Sequence, residues 1–146
     1  MAELSASNFK FATNGQLRWL EIPWDSTAHY FVLVKATKTP SMTDAVYSTI
    51  SSHLCTSGGY AHQNATNKVF LNSANANAPD CDSPNFGNGM VCKYLYLVCG
   101  TYSSPQAGDR IIGHWNLDTV GSADITINGV LNIDAQGICK FPFASW

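Results

Sequence analysis

Short runs of β-branched and aromatic residues, broken at near-regular intervals by Gly, Pro, Asn and Ser, constrain this chain more than any other feature. His29-Tyr-Phe-Val-Leu-Val-Lys-Ala36 is apolar on both faces at its centre, as a strand covered on both sides requires. Met90 to Cys99 is the longest apolar run and reads as one central strand. Leu17 to Ile22, closed by Pro23, reads as a strand, as do Lys68 to Asn72 and Arg110 to Leu117. Ile125 to Ile127, Asn128-Gly129 and Val130 to Ile133 spell a hairpin, because Asn-Gly suits a turn whose two central residues need positive φ. A further turn at Ala135-Gln136-Gly137 sends Ile138 to Phe141 back.

One segment departs from this pattern. After Pro40, Thr43 or Asp44 caps a short helix that runs through Ser52 with Val46, Tyr47 and Ile50 on one face. Thr56 to Tyr60 breaks it, Ser73 to Pro79 reads as a loop or a weak exposed strand, and Asp80 to Asn88 reads as irregular. With one helix and no βαβ alternation, the expected fold is mainly β, an antiparallel β-sandwich or barrel-like domain with one short helix. The 146 residues suffice for one core. Residues 1–16 are expected to form an N-terminal arm or edge strand, and residues 17–146 a single β-rich domain.

Charge narrows the partners. Eight Lys and Arg against ten Asp and Glu give a net charge of −2, with no basic cluster to displace counterions from a phosphate backbone. No nucleic acid is expected as a partner, and no membrane, since no basic amphipathic helix or bilayer-length apolar stretch is present. The start, Met1 to Ser7, has neither the basic nor the apolar region of a secretory signal, so synthesis in the cytoplasm is expected. The five cysteines form no CxxC pair and are expected to be reduced. Cys92 and Cys99 fall on one apparent strand, seven apart, with side chains on opposite faces, which disfavours zinc.

Candidate chemistry is sparse. His29, His53, His62 and His114 show no ligand spacing, and Cys55 with His53 or His62 lacks an orienting third group, so no enzyme activity is expected. Asp80, Asp82, Asp118 and Asp124 are oxygen donors of the kind calcium takes, but Asp residues also cap turns and no calcium loop is present. No metal and no cofactor is expected. Trp19, Trp24, Tyr60, Tyr102 and Trp115 are the aromatics able to serve as a sugar platform, with Trp24 and Trp115 chosen for a glycan-binding reading; core packing is the competing role. The chain ends carry Phe9, Phe11, Phe141, Phe143 and Trp146, which either anchor a neighbour or close the domain's own core.

Several segments carry a resemblance. Phe11-Ala-Thr-Asn-Gly-Gln-Leu17, Trp24-Asp25, Val46-Tyr-Ser-Thr-Ile-Ser51, Gly58-Gly59-Tyr60, Tyr94 to Thr101 and Ser104-Pro105, with a closing hairpin, make the chain resemble small structural proteins of tailed bacteriophage virions. The resemblance points to β-rich capsid decoration or cement proteins, which bind the outer shell in many copies and brace capsomer contacts. It implies the major capsid protein as partner, a homo-oligomer with a trimer at a threefold position, and a place on the virion's capsid surface. A tail or head-fibre receptor-binding, lectin-like β-module is the alternative it leaves.

Overall fold

The structure, a computed structural model, describes residues 4–13, 15, 19, 24–73, 76–100 and 103–139. Among the described residues nine strands carry the fold: β1 (Lys10–Phe11), β2 (His29–Val34), β3 (Gln63–Asn64), β4 (Val69–Ser73), β5 (Ala76–Asp80), β6 (Asn85–Cys92), β7 (Tyr94–Cys99), β8 (Arg110–Asn116) and β9 (Ile125–Val130). Every ladder between these strands is antiparallel. The chain is mainly β and sandwich-like. A five-stranded sheet in the order β1-β8-β7-β2-β3 forms one layer, and the two-stranded ribbons β4-β5 and β6-β9 stand apart from it.

The central sheet is covered on both faces, which explains why all six residues of β2 are buried. One face of the sheet, with Phe31, Leu33, Leu95, Leu97 and Trp115, shares a core with Phe86, Met90, Cys92 and Ile127 of the β6-β9 ribbon. The other face sets Tyr30, Val32, Val34, Tyr96, Val98 and Ile111 against Ile50, with Tyr47 and Leu54 packed alongside. At Gly113 the chain of β1 crosses so closely that an added Cβ would stand 2.6 Å from the Phe9 ring. Only glycine permits that approach.

Several local expectations are corrected. The run from Met90 to Cys99 is not one strand: it breaks at Lys93, which leaves β6 in the ribbon and starts β7 in the central sheet. Cys92 and Cys99 therefore lie on different strands, and both face the main core. The helix expected over Thr43–Ser52 is replaced by two single-turn 3-10 segments, Tyr47–Thr49 and Ser51–His53. Tertiary bonds explain this, because the Tyr47 and Ser48 amides donate to the Asp109 and Ala107 carbonyls rather than to their own segment.

The Asn128-Gly129 hairpin is absent. Gly129 has the positive φ of 78°, but Asn128 does not join it, and the chain runs through both as β9. The Asn128 side chain instead accepts the Gly89 amide across the ribbon at 2.9 Å. Of the strand expected at Leu17–Ile22, Trp19 is helical and the other residues lie outside the described set. Of the two readings of Ser73–Pro79, loop or weak strand, the structure gives a strand, since Ala76–Asp80 pairs with Val69–Ser73, and strand pairing extends into the segment read as irregular, where β6 begins at Asn85. The turn at Ala135–Gly137 is present, closed by the Gly137 amide on the Asp134 carbonyl at 2.8 Å. Among the described residues no helix is long and apolar enough to cross a membrane.

Lys93 sits at the crossover between layers and is 4% exposed. Its ammonium donates to the carbonyls of Asp118 and Gly121 at 2.5 and 2.6 Å and lies 5.7 Å from the Tyr94 ring. Replacing Lys93 with Met keeps the stem and removes both bonds, so urea unfolding is expected to show a loss of about 1–3 kcal/mol. An unchanged midpoint would mean that the ammonium holds nothing together.

Candidate functional site

Of the aromatic residues selected from sequence, Phe9, Phe11, Trp24 and Trp115 are buried, and Trp19 and Tyr60 are half-buried. Phe9 and Phe11 are 2% and 1% exposed, and their rings meet edge-on at 5.0 Å. They close the domain's own core, because β1 pairs with β8 and delivers both rings beneath the sheet. Of the two roles open to Phe9 and Phe11, the reading as anchors for a neighbour is thereby corrected, and closure of the domain's own core is the one observed. Phe141, Phe143 and Trp146 lie outside the described residues.

Trp24 and Trp115 offer no open face. Trp115 is 1% exposed, packs on Phe9 at 4.6 Å, and donates its indole N–H to the Ser5 carbonyl at 3.0 Å. Trp24 is 4% exposed and donates to the carbonyls of Val69 and Asp80 at 3.0 and 3.1 Å. His29 lies 4.6 Å from the Trp24 ring, and the Lys68 ammonium stands 5.6 Å from it. A sugar stacks only on an uncovered ring, so these two residues are corrected from glycan platform to core. Trp19 donates to His29 Nε2 at 3.0 Å, Tyr60 stacks on Phe86 at 6.0 Å, and Tyr102 lies outside the described residues.

The polar side chains are likewise occupied in building the fold. Cys55 is buried in the main core, whereas His53 meets Thr37 Oγ1 at 2.9 Å and His62 lies edge-on to Tyr30 at 5.5 Å. Asp82 accepts from Thr66 and Asn67, Asp118 accepts the Val120 and Gly121 amides, and Asp124 accepts the Ala36 amide. Those two amides hold the exposed Asp118 carboxyl below its ordinary range. Among the described residues no three His, Cys, Asp or Glu side chains gather to hold a metal ion.

Two surface features among the described residues bear on function. The first is a depression of about 330 Å³ lined by Asn8, Lys10, Pro40, Tyr94, His114, Asn116 and Thr119. Its floor is His114, stacked on Tyr96 at 5.1 Å and edge-on to Tyr94 at 5.9 Å. Burial pushes the His114 pKa down to about 4, against a smaller opposing pull from Asp44, with Lys10 and Lys38 adding to the fall. The imidazole is neutral at pH 7.

The second feature is larger in chemical consequence. On the ribbon, Phe86, Met90, Cys92 and Ile127 point inward, and Asn85, Gly87, Asn88, Gly89, Val91, Thr126, Asn128 and Val130 are exposed. None of these eight carries a charge. Val91 and Val130 are 41% and 38% exposed, so the face mixes apolar methyls with amides and a hydroxyl. Two of the amides are fixed in place: Asn85 Oδ1 accepts the Gly87 amide, and Asn128 Oδ1 accepts the Gly89 amide, at the two register shifts of the ladder. The sequence concealed this face, because the Asn-Gly signal and the irregular reading of Asp80–Asn88 hid the ladder that builds it.

Two measurements follow from the burial. For His114 the unfolded state takes up its proton near pH 6.5 and the folded state only near 4. Stability is therefore full above about pH 6.5, falls by on the order of 3 kcal/mol as pH drops to about 4, and is level below. Urea midpoints compared between the parent and His114→Gln should differ in slope across that window and nowhere else. All five cysteines are buried free thiols, and burial raises Cys81 and Cys92 to about 12 and Cys139 further still. An aromatic disulfide reagent should label none of them in the native chain and all five in denaturant; fast native labelling would contradict the packing.

No protein-family model matches the chain, and no curated protein or solved structure is significantly similar to it.

Proposed function

We propose that this chain is a structural protein of a tailed-phage particle, a capsid decoration or cement protein that docks on the outer shell and braces contacts between capsomers. The observation that carries this reading is the uncharged exposed face of the β6-β9 ribbon. A surface of Val, Thr, Asn and Gly is cheap to remove from water, since no ion must lose its hydration shell, and the amides still confer direction. A shell repeats the same contact many times, so each one is effective at modest affinity. The resemblance to virion structural proteins points the same way, with the major capsid protein as the partner. The receptor-binding alternative loses its main residues, because Trp24 and Trp115 are buried.

The test is co-sedimentation of the purified chain with shells stripped of it, with copy number read by quantitative mass spectrometry. Saturation at a stoichiometry fixed by the shell's symmetry is expected. Val91→Glu and Asn88→Glu, each placing a charge on the face, should weaken binding by about tenfold or more. Val120→Glu, at a loop position 97% exposed and off the ribbon, should bind as the parent does. Failure of the parent to saturate would remove the shell reading, and equal binding by the face variants would remove the face from it.

A further inference from the structure

Among the described residues, one edge of the ribbon is unpaired. Val91 turns its amide away from β9, to Ser57 Oγ at 2.9 Å, so Thr126 opposite it also turns its own N–H and C=O outward. At the far end, the Leu131 amide reaches the Pro84 carbonyl at 2.9 Å, which sets its neighbour Val130 facing out. Asn128 lies between them at the same parity. The outward backbone groups of Thr126, Asn128 and Val130 therefore form a row with no hydrogen-bond partner among the described residues. The row ends where Leu4 takes over the edge, its amide on the Asn132 carbonyl at 2.8 Å and its carbonyl receiving the Asp134 amide at 3.0 Å.

Open strand edges are normally guarded by lysine, by proline or by an inward charge. This one has none, because Ile125-Thr-Ile-Asn-Gly-Val130 contains neither a charge nor a proline. The lack of charge also selects the occupant. When a strand pairs with its own copy about a twofold axis, a charge near the axis faces a like charge, and an uncharged strand escapes that repulsion. We propose that the free edge of β9 pairs antiparallel with the β9 edge of a second copy, about a twofold axis that sets Thr126 of one copy opposite Asn128 of the other. Each such pair exchanges two N–H···O bonds, so the two symmetry-related pairs supply four. The two ribbons then merge into one four-stranded sheet, and the exposed faces of both copies lie side by side. The contact uses the edge, whereas shell docking uses the face, so either stands without the other.

Sedimentation velocity over a series up to about 1 mM is expected to show a reversible monomer–dimer equilibrium, as suits a contact of this small size. Thr126→Pro removes an outward amide without touching the bonds to β6, and Thr126→Lys keeps the backbone but sets two ammonium groups close together across the axis. Both should raise the dissociation constant by about tenfold or more while near-ultraviolet dichroism is unchanged. Amide exchange gives a readout that survives a variant's failure to fold: in the parent, Thr126 and Asn128 should gain protection as concentration rises, while Ile127, bonded within the ribbon, should not. A parent that stays monomeric throughout, a trimer, or a dimer that leaves the Thr126 and Asn128 amides unprotected would each overturn the proposal. Shell binding by Thr126→Lys is scored separately, since its loss or retention bears on the face and not on the edge.

Discussion

The buried ammonium of Lys93 is the point on which the two layers depend. Its own amide donates to the Val34 carbonyl and its carbonyl receives the Leu117 amide, so the residue is tied into the central sheet through its backbone. Its side chain then gathers the Asp118 and Gly121 carbonyls from the loop after β8. A charge withdrawn from water is tolerated only with such partners. The ten-residue apolar stretch around it would otherwise have every local reason to continue as one strand. The lysine breaks the stretch into an edge-forming half and a central half, and thereby creates both the ribbon and the sheet it covers.

How much of this was legible depended on whether the signal was local. The strand at His29–Val34 was readable because burial on both faces leaves an unbroken apolar run, and Arg110–Asn116 because its β-branched and aromatic residues lie between turns. The Asn128-Gly129 pair misled because its local preference is real but spent elsewhere: glycine takes the positive φ, and asparagine holds a bulge on the neighbouring strand. The segment from Tyr47 to His53 has apolar residues at helical spacing, yet its first two amides are claimed by a loop some sixty residues away in sequence. Phe9, Phe11, Trp24 and Trp115 are anchors as their side chains suggest, but anchors of the core. Which side of the surface they fall on is decided by long-range pairing, such as β1 on β8, that no window of sequence contains.

The candidate site was less legible than the fold for a related reason. Sequence reading looks for residues that carry chemistry, and here those residues are consumed by the architecture. Asp44, Asp109, Asp118, Asp124 and Asp134 each accept at least one backbone amide, at Ser41, Gln106, Val120 and Gly121, Ala36 and Gln136 respectively. Asp109 also receives the Tyr30 hydroxyl at 2.8 Å, and the Asp44 carboxylate pairs with Lys38 at 2.9 Å. A protein with so few charges that uses its acids to close turns places none on the exposed face of the β6-β9 ribbon. The neutrality of the ribbon follows from where the acids are needed.

That neutrality creates a problem which the ribbon itself limits. An uncharged β face beside an open edge invites uncontrolled strand addition. Two register shifts within β6 and the positive φ at Gly129 bend the ladder away from the flat, regular form that stacks without limit. Leu4 closes the far end of the β9 edge, so among the described residues the open row is only three outward residues long. A short, bent edge with one end blocked can be satisfied once, by a single partner in one register, and then presents nothing further to extend. The same bulges that hold the Asn85 and Asn128 amides in place on the face thus restrict what the edge can do, and recognition and restraint come from one set of residues.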